Sequence, residues 1–401
     1  MSALPISLPY GRQSITEADI AAVVAVLRSD WLTQGPAVPA FEEAMAKYCR
    51  SSHAVAVNSA TSALHIACLA LGVGPGDLVW TSPNTFVASA NCARYCGADV
   101  DFVDIDPGTL NLCPEQLASK LAQARQVGRL PKVVIPVHFA GQSCDMSAIH
   151  ALAKEYDFRI IEDASHAIGG RYQGEPVGCG RYSDITVLSF HPVKIITSAE
   201  GGMALTNDPA IARAMRLSRS HGVTREPSDF VRPAEGPWHY EQQALGWNYR
   251  MTDLQAALGL SQLQRLDAFV ARRNVLAARY DRLLANLPLA LPHVGPDRLS
   301  SFHLYVVGIE ESLSPHDRSQ VFAALRQAGI GVNLHYQPVH LQPYYRQLGF
   351  HPGQFPRTEH YSGRSLTLPL YPDMQDEDVD RVSHLLGGLL QAPDTSNEVH
   401  L

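Results

Sequence analysis

The spacing of apolar residues changes along the chain, and it predicts which segments are helices and which are strands. Residues 16–28, TEADIAAVVAVLR, place apolar side chains at helical spacing, with Thr16 at the position of an N-cap. The polar stretch SDWLTQGP breaks this pattern and predicts a loop, after which AVPAFEEAMAKYC predicts a second helix. From about Ala54 the pattern becomes one of short apolar runs separated by helical segments.

Strands and helices are predicted to alternate as far as residue 206. The predicted strands are HAVAVN, DLVWTS, DVDFVDI, KVVIPVHF, FRIIED, DITVLSF and GGMALT. The predicted helices are SATSALHIACLALG, FVASANCARYCG, PEQLASKLAQARQ and MSAIHALAKEYD. Such alternation predicts an α/β fold with a mostly parallel, doubly wound sheet, and ligands of these sheets bind beyond the carboxyl ends of the strands.

The C-terminal part of the chain has a different character. A long helical pattern covers residues 246–287, and we predict a break in it near Leu266. Beyond about residue 290, FHLYVVGI predicts a strand, HDRSQVFAALRQAG a helix and GVNLHY another strand. We therefore predict a large domain at 1–265 with an N-terminal substrate loop, a smaller α+β domain at 266–392, and a disordered tail at 393–401.

Composition and charge restrict the possible classes of function. The chain has 401 residues, of which 46% are hydrophobic and 18% charged, as in ordinary globular enzymes. A formal net charge of −7 without a basic stripe argues against nucleic-acid binding. The sequence has neither the pattern of a signal peptide nor an apolar run of membrane-spanning length. We therefore expect a cytoplasmic protein without membrane or nucleic-acid partners.

Cysteine, histidine and glycine patterns exclude several kinds of site. The seven cysteines are scattered without a CxxC pair, so we expect reduced, buried thiols. The 17 histidines include no HExxH motif, and we expect no metal site. The glycine-rich stretch VGPGD predicts a turn, because the dinucleotide-binding fingerprint GxGxxG is absent.

Lys194 stands out in the stretch SFHPVKIITSAEGG because small or apolar residues surround it. Loss of hydration in such a loop disfavours the charged amine and lowers its pKa from about 10.4. A neutral amine is a nucleophile that can form a Schiff base with a carbonyl group. The alternative is a lysine whose amine reaches solvent past its neighbours.

Two further residues, in the stretch IIEDASHA, could hold a ligand near this lysine. Asp163 closes a buried strand, where a carboxylate requires a partner. A pyridinium nitrogen is one such partner and would be kept protonated as an electron sink, whereas an N-cap or a structural salt bridge is the alternative. His166 could pack on or hydrogen-bond the same ligand, or it could be a core histidine.

A phosphate group and an aromatic ring have candidate positions as well. In NSATSALH, Thr61 and Ser62 lie where a strand turns into a helix, so free amides, hydroxyls and the positive helix end could bind phosphate. Simple N-capping is the alternative. Phe86 in PNTFVAS follows a strand end, where it could stack on a flat ring or belong to the core.

One ligand satisfies all of these positions together. A phosphate-bearing pyridine aldehyde would be held at its phosphate, its ring face, its ring nitrogen and its aldehyde carbon. The set therefore predicts pyridoxal 5'-phosphate as the cofactor, with Lys194 as the lysine of the Schiff base.

Motifs from Tyr10 to about Pro372 resemble those of the DegT/DnrJ/EryC1/StrS sugar-nucleotide aminotransferases, which are pyridoxal phosphate enzymes of fold type I. The matching motifs are SDWLTQGP, FEEAMAKY, NSATSALH, GPGDLVWTSPNTFVAS, VDFVDID, IEDASHAIGG, SFHPVKIITSAEGGM, LGWNYRMTDLQAALG and NLHYQPVHLQPYY. Many members have glycine where this chain has Ala60.

The resemblance implies a role for each matching residue. Lys194 would form the Schiff base and shuttle the proton, and Asp163 would pair with the pyridine nitrogen. Phe86 would stack on the ring, and His166 would lie beside it. The residues implied to hold the cofactor phosphate are Thr61, Ser62 and Ser189, together with Asn248 and Arg250 of a second subunit. The implied active unit is a homodimer with shared active sites.

A closer likeness, at both ends of the chain, is to the branch that makes a 4-amino sugar for pseudaminic acid. It rests on YGRQSI with SDWLTQGP, and on GIGVNLHYQPVHLQPYYRQLGF with SLTLPLYP. The implied substrates are a UDP-linked 4-keto sugar, UDP-2-acetamido-2,6-dideoxy-β-L-arabino-hexos-4-ulose, and L-glutamate, which leaves as 2-oxoglutarate. The implied sugar-binding residues are Tyr10, Trp31, Leu32, Thr33, Ala60, His335, Tyr336, Gln337, Pro338 and Tyr345. By the pattern alone, HYQPVHLQPYY could equally be a surface loop.

Three alternatives remain open at this stage. One is another keto-sugar aminotransferase of the same fold, acting on a D-series 4-keto or a 3-keto sugar. Related dehydratases have histidine at the lysine position, so Lys194 argues against them. A non-catalytic regulatory protein is the alternative from another class, but the sequence has no basic helix-turn-helix segment and fills the catalytic positions.

Overall fold

A computed structural model describes residues 7–391 of the chain, so the predicted tail at 393–401 lies outside the described residues. The helices are α1 Glu17–Leu27, α2 Ala37–Cys49, α3 Ala60–Ala70, α4 Ala88–Tyr95, α5 Pro114–Gln126, α6 Met146–Tyr156, α7 Pro209–Arg219, α8 Asp253–Leu263, α9 Leu266–Leu284, α10 Arg318–Gln327, α11 Pro343–Gln347, α12 Pro356–Arg364 and α13 Asp376–Leu390. Short 3-10 turns lie at Phe139–Gly141, Pro227–Asp229 and Val339–Leu341.

The strands form one large sheet and three small ones. They are β1 His53–Val57, β2 Leu78–Thr81, β3 Asp99–Phe102, β4 Val133–Ile135, β5 Arg159–Asp163, β6 Arg171–Tyr172, β7 Glu175–Pro176, β8 Ile185–Ser189, β9 Gly202–Thr206, β10 Val223–Thr224, β11 Glu241–Gln242, β12 Leu289–Ala290, β13 Arg298–Leu299, β14 Tyr305–Ile309 and β15 Ser365–Leu368. The large sheet has the order β1-β9-β8-β5-β4-β2-β3.

The large sheet confirms the predicted α/β fold. All its neighbouring strands are parallel except β9, which runs antiparallel to both β1 and β8. Each of its strands was predicted, and so were α1 to α6. Apolar side chains of α3 and α4 pack on one face of the sheet, and those of α2, α8 and α9 belong to a second apolar cluster.

Sheet order brings distant parts of the chain to one edge. Val57, at the end of β1, and Ser189, at the end of β8, both pair with Gly202, the first residue of β9. Asp163 ends the neighbouring strand β5. The site described below lies at this edge, where ligands of doubly wound sheets bind.

The C-terminal part contains the three-stranded antiparallel sheet β12-β14-β15. Side chains of α9, α10 and α13 pack on it in a separate apolar cluster, which also includes Leu8 from the N-terminal segment. The break between α8 and α9 falls at residues 264–265, as predicted near Leu266. The helical region begins only at Asp253, because Thr252 caps α8 and the residues before it are extended.

Two predictions about secondary structure need correction. GVNLHY is not a strand: within it only Asn333 makes an isolated bridge, to Thr367 on β15, and the segment otherwise runs as a loop. The helix α7 was not predicted, although Asp208 caps it by accepting hydrogen bonds from the backbone of Ala210 and Ile211. Pro209 at the first helical position was a further available signal.

Candidate active site

A cavity of about 440 Å³ opens at the carboxyl edge of the large sheet. The predicted site residues that line it are Tyr10, Ala60, Thr61, Phe86, Asp163, His166, Ser189, Lys194, His335 and Tyr336. They come from the N-terminal segment, from the carboxyl ends of β1, β2, β5 and β8 or the segments just after them, and from the loop that follows α10. Residues separated by more than 300 positions therefore face one space.

Lys194 lies in the turn that follows β8, where its backbone N–H donates to the carbonyl oxygen of His191 over 2.9 Å. Its side chain is half-buried and faces the cavity. Burial lowers the pKa of Lys194 to about 8, and the nearby Asp163 carboxylate opposes this shift. The neutral form therefore predominates above about pH 8, well below the pH that an ordinary lysine requires, and this makes the amine a usable nucleophile and base.

Asp163 is a buried carboxylate that faces the cavity and forms no ion pair with any residue that the structure describes. Its Oδ2 accepts a hydrogen bond from the hydroxyl of Ser89 over 2.6 Å, and its Oδ1 accepts from the backbone N–H of Ser165 over 3.1 Å. None of the ion pairs within residues 7–391 includes Asp163. A protonated ring nitrogen would supply the missing positive charge.

His166 is held as a neutral ring by its two hydrogen bonds. Its Nδ1 accepts the backbone N–H of Ala140 over 3.3 Å, so the ring proton sits on Nε2, which lies 3.0 Å from the hydroxyl of Tyr336. Burial, with the charge of Lys194, holds the pKa of His166 well below its usual value. The His166 and His303 rings lie 4.4 Å apart between centroids.

The beginning of α3 forms an anion-binding cradle next to Lys194. Ser59 caps the helix by accepting the backbone N–H of Ser62, and Thr61 lines the cavity. Gly202 approaches so closely that a Cβ added there would lie 2.5 Å from the backbone nitrogen of Ala60. Free N–H groups and the positive end of a helix favour phosphate at such a position.

An exposed aromatic ring completes the set. Phe86 leaves 58% of its surface uncovered although it lines the cavity, so a face is available for stacking. The cavity therefore offers an amine of lowered pKa, a carboxylate without an ionic partner, an uncovered ring and an anion-binding helix end. These features fit pyridoxal phosphate.

Several predicted residues do not face the cavity in the described chain. The hydroxyl of Ser62 donates instead to Asn58 Oδ1 over 2.7 Å. Tyr345 is buried in the core and donates to Asn91 over 2.6 Å. Gln337 is exposed and Pro338 is buried, and neither is part of the cavity lining. The structure therefore does not bring Ser62, Gln337, Pro338 and Tyr345 to the cavity lining, and their implied roles stay predictions.

The loop between α1 and α2 also lies away from the cavity. Trp31, Leu32 and Thr33 are exposed. The carboxylate of Asp253 fixes the loop to α8, since it accepts the backbone N–H groups of Gly35 and Ala37 over 2.8 Å each. None of these three predicted sugar contacts is part of the cavity lining of its own chain.

Asn248 and Arg250 lie outside the cavity of their own chain. Arg250 forms an isolated bridge with Val57, and Asn248 forms one with Ser220. Asn248 is exposed and Arg250 is half-buried. This placement leaves both side chains available to a second subunit, as the resemblance implies, and the shared site remains a proposal.

Four functional candidates were missed in the sequence. Thr85, His303 and Asn333 line the cavity, and Ser89 lies behind it against Asp163. Thr85 and Ser89 both stand in PNTFVAS, on either side of Phe86. The available signal is their position after β2, since Thr85 precedes α4 and Ser89 lies in its first turn, at the edge of the sheet where ligands bind.

The thiols agree with the expectation of reduced, buried cysteines. All seven cysteines are unpaired, and six of them are buried. In the part of the chain that the structure describes, no helix combines the length and apolar character needed to cross a membrane.

The fold and the site together define an aminotransferase. The chain belongs to the DegT/DnrJ/EryC1/StrS aminotransferase family, whose model matches residues 13–386. The predicted family, fold class and enzyme class are thereby confirmed.

Relatives cover nearly the whole chain. The spore coat polysaccharide biosynthesis protein SpsC of Bacillus subtilis is 40% identical over 96% of this chain and 98% of its own length. The protein named "Putative sugar aminotransferase Spr1654" of Streptococcus pneumoniae, solved in its PMP-form, is 32% identical over 96% of this chain and 99% of that one, with a TM-score of 0.88.

A third relative is Helicobacter pylori PseC, described as an aminotransferase involved in the biosynthesis of pseudoaminic acid. It is 30% identical over 96% of this chain and 99% of that one, with a TM-score of 0.86. The pneumococcal protein was also solved in a PLP-form. Family membership and these cofactor-bearing relatives support the predicted cofactor, pyridoxal phosphate.

Proposed function

We propose that this sugar aminotransferase moves the amino group of L-glutamate to the C4 ketone of UDP-2-acetamido-2,6-dideoxy-β-L-arabino-hexos-4-ulose. The product is UDP-4-amino-4,6-dideoxy-N-acetyl-β-L-altrosamine, an intermediate on the way to pseudaminic acid. The enzyme acts in the cytoplasm as a homodimer with shared active sites.

The observation that carries the chemistry is the meeting of Lys194 and Asp163 at one cavity. The two residues belong to different strand ends, and the carboxylate influences the pKa of the amine. Tyr10 and Tyr336 line the same cavity, and both lie in segments outside the large sheet. A sugar bound between these tyrosines would present its ketone to the cofactor.

The choice of sugar rests on two lines of support. The motifs YGRQSI and GVNLHYQPVHLQPYY at the two ends of the chain resemble the pseudaminic acid branch. Helicobacter pylori PseC, from the same pathway, has 30% identity and a TM-score of 0.86 to this chain. Tyr10, His335 and Tyr336 belong to those motifs and line the cavity.

A second candidate is an aminotransferase for another keto sugar, of the D-series or with the ketone at C3. The observation that favours it is the 40% identity to SpsC, whose name places it in spore coat polysaccharide biosynthesis. Both candidates use the same cofactor chemistry. They differ in the stereochemistry and position of the ketone.

Each residue of the site has a defined task in this reaction. Pyridoxal phosphate, when bound, supplies the electron sink that makes a C–H bond beside nitrogen acidic. Lys194 would take the proton from Cα of glutamate as the neutral amine and pass it to the cofactor; in the second half of the reaction it would take this proton back and deliver it, as the ammonium, to C4 of the sugar. Asp163 would hold the ring nitrogen protonated, and Phe86 would cover the ring and exclude water. Thr61 and Ser189 would hold the phosphate.

Titration of the purified enzyme followed by visible absorbance tests this function. L-Glutamate is expected to bleach the absorbance of the lysine-bound cofactor, and only the L-arabino 4-keto sugar is expected to restore it. Restoration by a D-xylo 4-keto sugar alone would favour the second candidate. An absence of cofactor absorbance after pyridoxal phosphate is supplied would contradict both.

A further inference from the structure

We propose that Thr85 and Ser89 form a buried hydroxyl relay that orients Asp163 and stabilises its negative charge, so that Ser89 is a positioning residue for the cofactor ring. This inference rests on the proposed function, since it requires a ring nitrogen opposite Asp163. It assigns a task to two residues whose side chains are 98% or more buried.

The backbone of Asp163 is fixed on both sides before its side chain makes any contact. Its N–H donates to the carbonyl oxygen of Pro136 over 2.9 Å, and its carbonyl oxygen accepts the N–H of His138 over 3.0 Å. The side chain therefore starts from a rigid strand end. Its remaining freedom lies in the rotation of the carboxylate, which the relay restricts.

The direction of each proton in the relay follows from chemistry. An ionised carboxylate can only accept, so the single hydroxyl proton of Ser89 points to Asp163 Oδ2 at 2.6 Å. The Ser89 oxygen lies 2.7 Å from the hydroxyl oxygen of Thr85 and must therefore accept the proton of Thr85. The order of donation is Thr85 to Ser89 to Asp163.

This order makes the serine hydroxyl a better donor than an isolated one, because hydrogen bonds in a chain polarise one another. The carboxylate accepts about four hydrogen bonds at most, and Ser89 and Ser165 use two of these positions. The others remain for the ring nitrogen. Ser89 lies outside the cavity lining, so its influence on a ligand passes through Asp163.

The test compares two ligands of the cofactor-free enzyme. One is pyridoxal phosphate, and the other is its analogue with carbon in place of the ring nitrogen. Ser89→Ala is expected to raise the Kd for pyridoxal phosphate by about tenfold, as for a lost charge-assisted hydrogen bond, and to leave the Kd for the analogue unchanged. A mere packing defect would weaken both ligands equally, and that result would overturn the proposal.

Thr85 provides the second arm of the test, because Thr85→Val keeps its shape and removes only the hydroxyl. We expect about a threefold rise in the Kd for pyridoxal phosphate, with no further rise when Thr85→Val is added to Ser89→Ala. Additive effects would show that Thr85 contacts the ligand directly and would contradict the relay.

The control is Thr206→Val, which removes a buried hydroxyl that donates to the carbonyl oxygen of Asp184 over 2.7 Å, at the opposite end of β9. It is expected to lower thermal stability without changing either Kd. Wild-type enzyme that bound no pyridoxal phosphate would contradict the proposed cofactor. If the wild type binds pyridoxal phosphate and Ser89→Ala binds it with the same Kd, the relay alone is contradicted.

Discussion

The Nε2 atom of His166 lies 3.0 Å from the hydroxyl oxygen of Tyr336, although the two residues are separated by 170 positions. His166 follows β5 of the large sheet, and Tyr336 belongs to the loop after α10. Because Nδ1 of His166 is occupied by the backbone N–H of Ala140, the histidine donates this bond. The hydroxyl proton of Tyr336 is then available to a ligand in the cavity.

Tyr336→Phe is therefore expected to affect both stability and sugar binding. The variant leaves the buried Nε2–H of His166 without a partner, at a cost of about 1–3 kcal/mol in the free energy of unfolding. It is also expected to raise the KM for the keto sugar by about three- to tenfold through the lost substrate hydrogen bond. Steady-state kinetics and thermal unfolding measure the two effects.

Tyr345→Phe is the matched control, because the hydroxyl of Tyr345 donates to Asn91 and faces no cavity. It should lower stability by about 1 kcal/mol and leave the KM for the sugar unchanged. A raised sugar KM in this variant would restore Tyr345 to the site.

Lys194→Ala is expected to abolish turnover and leave the fold intact. A positioned base contributes about 10²–10⁴-fold in rate by itself, and Lys194 also holds the cofactor. Formation of 2-oxoglutarate from glutamate measures turnover, and circular dichroism checks the fold. The exposed Lys154 supplies the control variant Lys154→Ala. Substantial transamination by Lys194→Ala would refute the assigned role.

The lowered pKa of Lys194 predicts a pH dependence for cofactor attachment. Since burial lowers this pKa to about 8, the neutral amine predominates above that pH, whereas an ordinary lysine requires about 10.4. The rate at which cofactor-free enzyme captures pyridoxal phosphate should rise with pH through a midpoint near 8 and then level off. Lys194→Ala provides the blank, and a midpoint near 10 would contradict the prediction.

Gly202→Ala is expected to damage the phosphate cradle. The added Cβ would lie 2.5 Å from the backbone nitrogen of Ala60, so the beginning of α3 must move. We expect the Kd for pyridoxal phosphate to rise by about tenfold or more, which equals about 1.4 kcal/mol of lost binding. Absorbance titration of cofactor-free enzyme measures this change.

Gly388→Ala serves as the control for that substitution. No atom lies within 4 Å of a Cβ built at Gly388, which is exposed on α13. Because alanine favours helix over glycine, this variant should gain up to about 1 kcal/mol in stability and bind cofactor like the wild type. Equal cofactor affinity in both glycine variants would contradict the cradle.

A shared active site predicts complementation between inactive variants. In a heterodimer of Lys194→Ala and Arg250→Ala subunits, one site carries both changes and the other carries neither. Random reassociation of an equal mixture gives half heterodimers, so activity should recover to roughly a quarter of the wild-type value. Recovery is measured after the variants are unfolded together and refolded. Two variants that stay inactive after verified mixing would place Arg250 outside a shared site.

The sequence by itself determined the large sheet and the chemical identity of the site. Short apolar runs, bounded by helical segments, predicted every strand of the large sheet, because strands buried on both faces are rich in apolar residues. Asp163 was predictable because it ends such a run, and Lys194 because it stands among small and apolar residues shortly after one. A charged residue at such a buried position requires a partner.

Only the tertiary structure decided which polar groups face the cavity. Thr61 and Ser62 are neighbours in one helical turn, yet only Thr61 lines the cavity, because Asn58 and Ser59 engage the hydroxyl of Ser62. Spacing along a helix sets a direction for each side chain but not its partner. The hydrogen-bond partner of a side chain depends on which distant strand the sheet order places beside its helix.

Tertiary structure also decided two hydrogen bonds of the site, because each joins residues that are far apart in the sequence. The relay from Ser89 reaches Asp163 across 74 positions, and the bond between His166 and Tyr336 spans 170. The segment GVNLHY has the alternation of a strand, but β15 accepts only one bridge from it, so its residues remain in a loop that lines the cavity. A strand needs a partner edge, and the sequence alone does not say whether one is free.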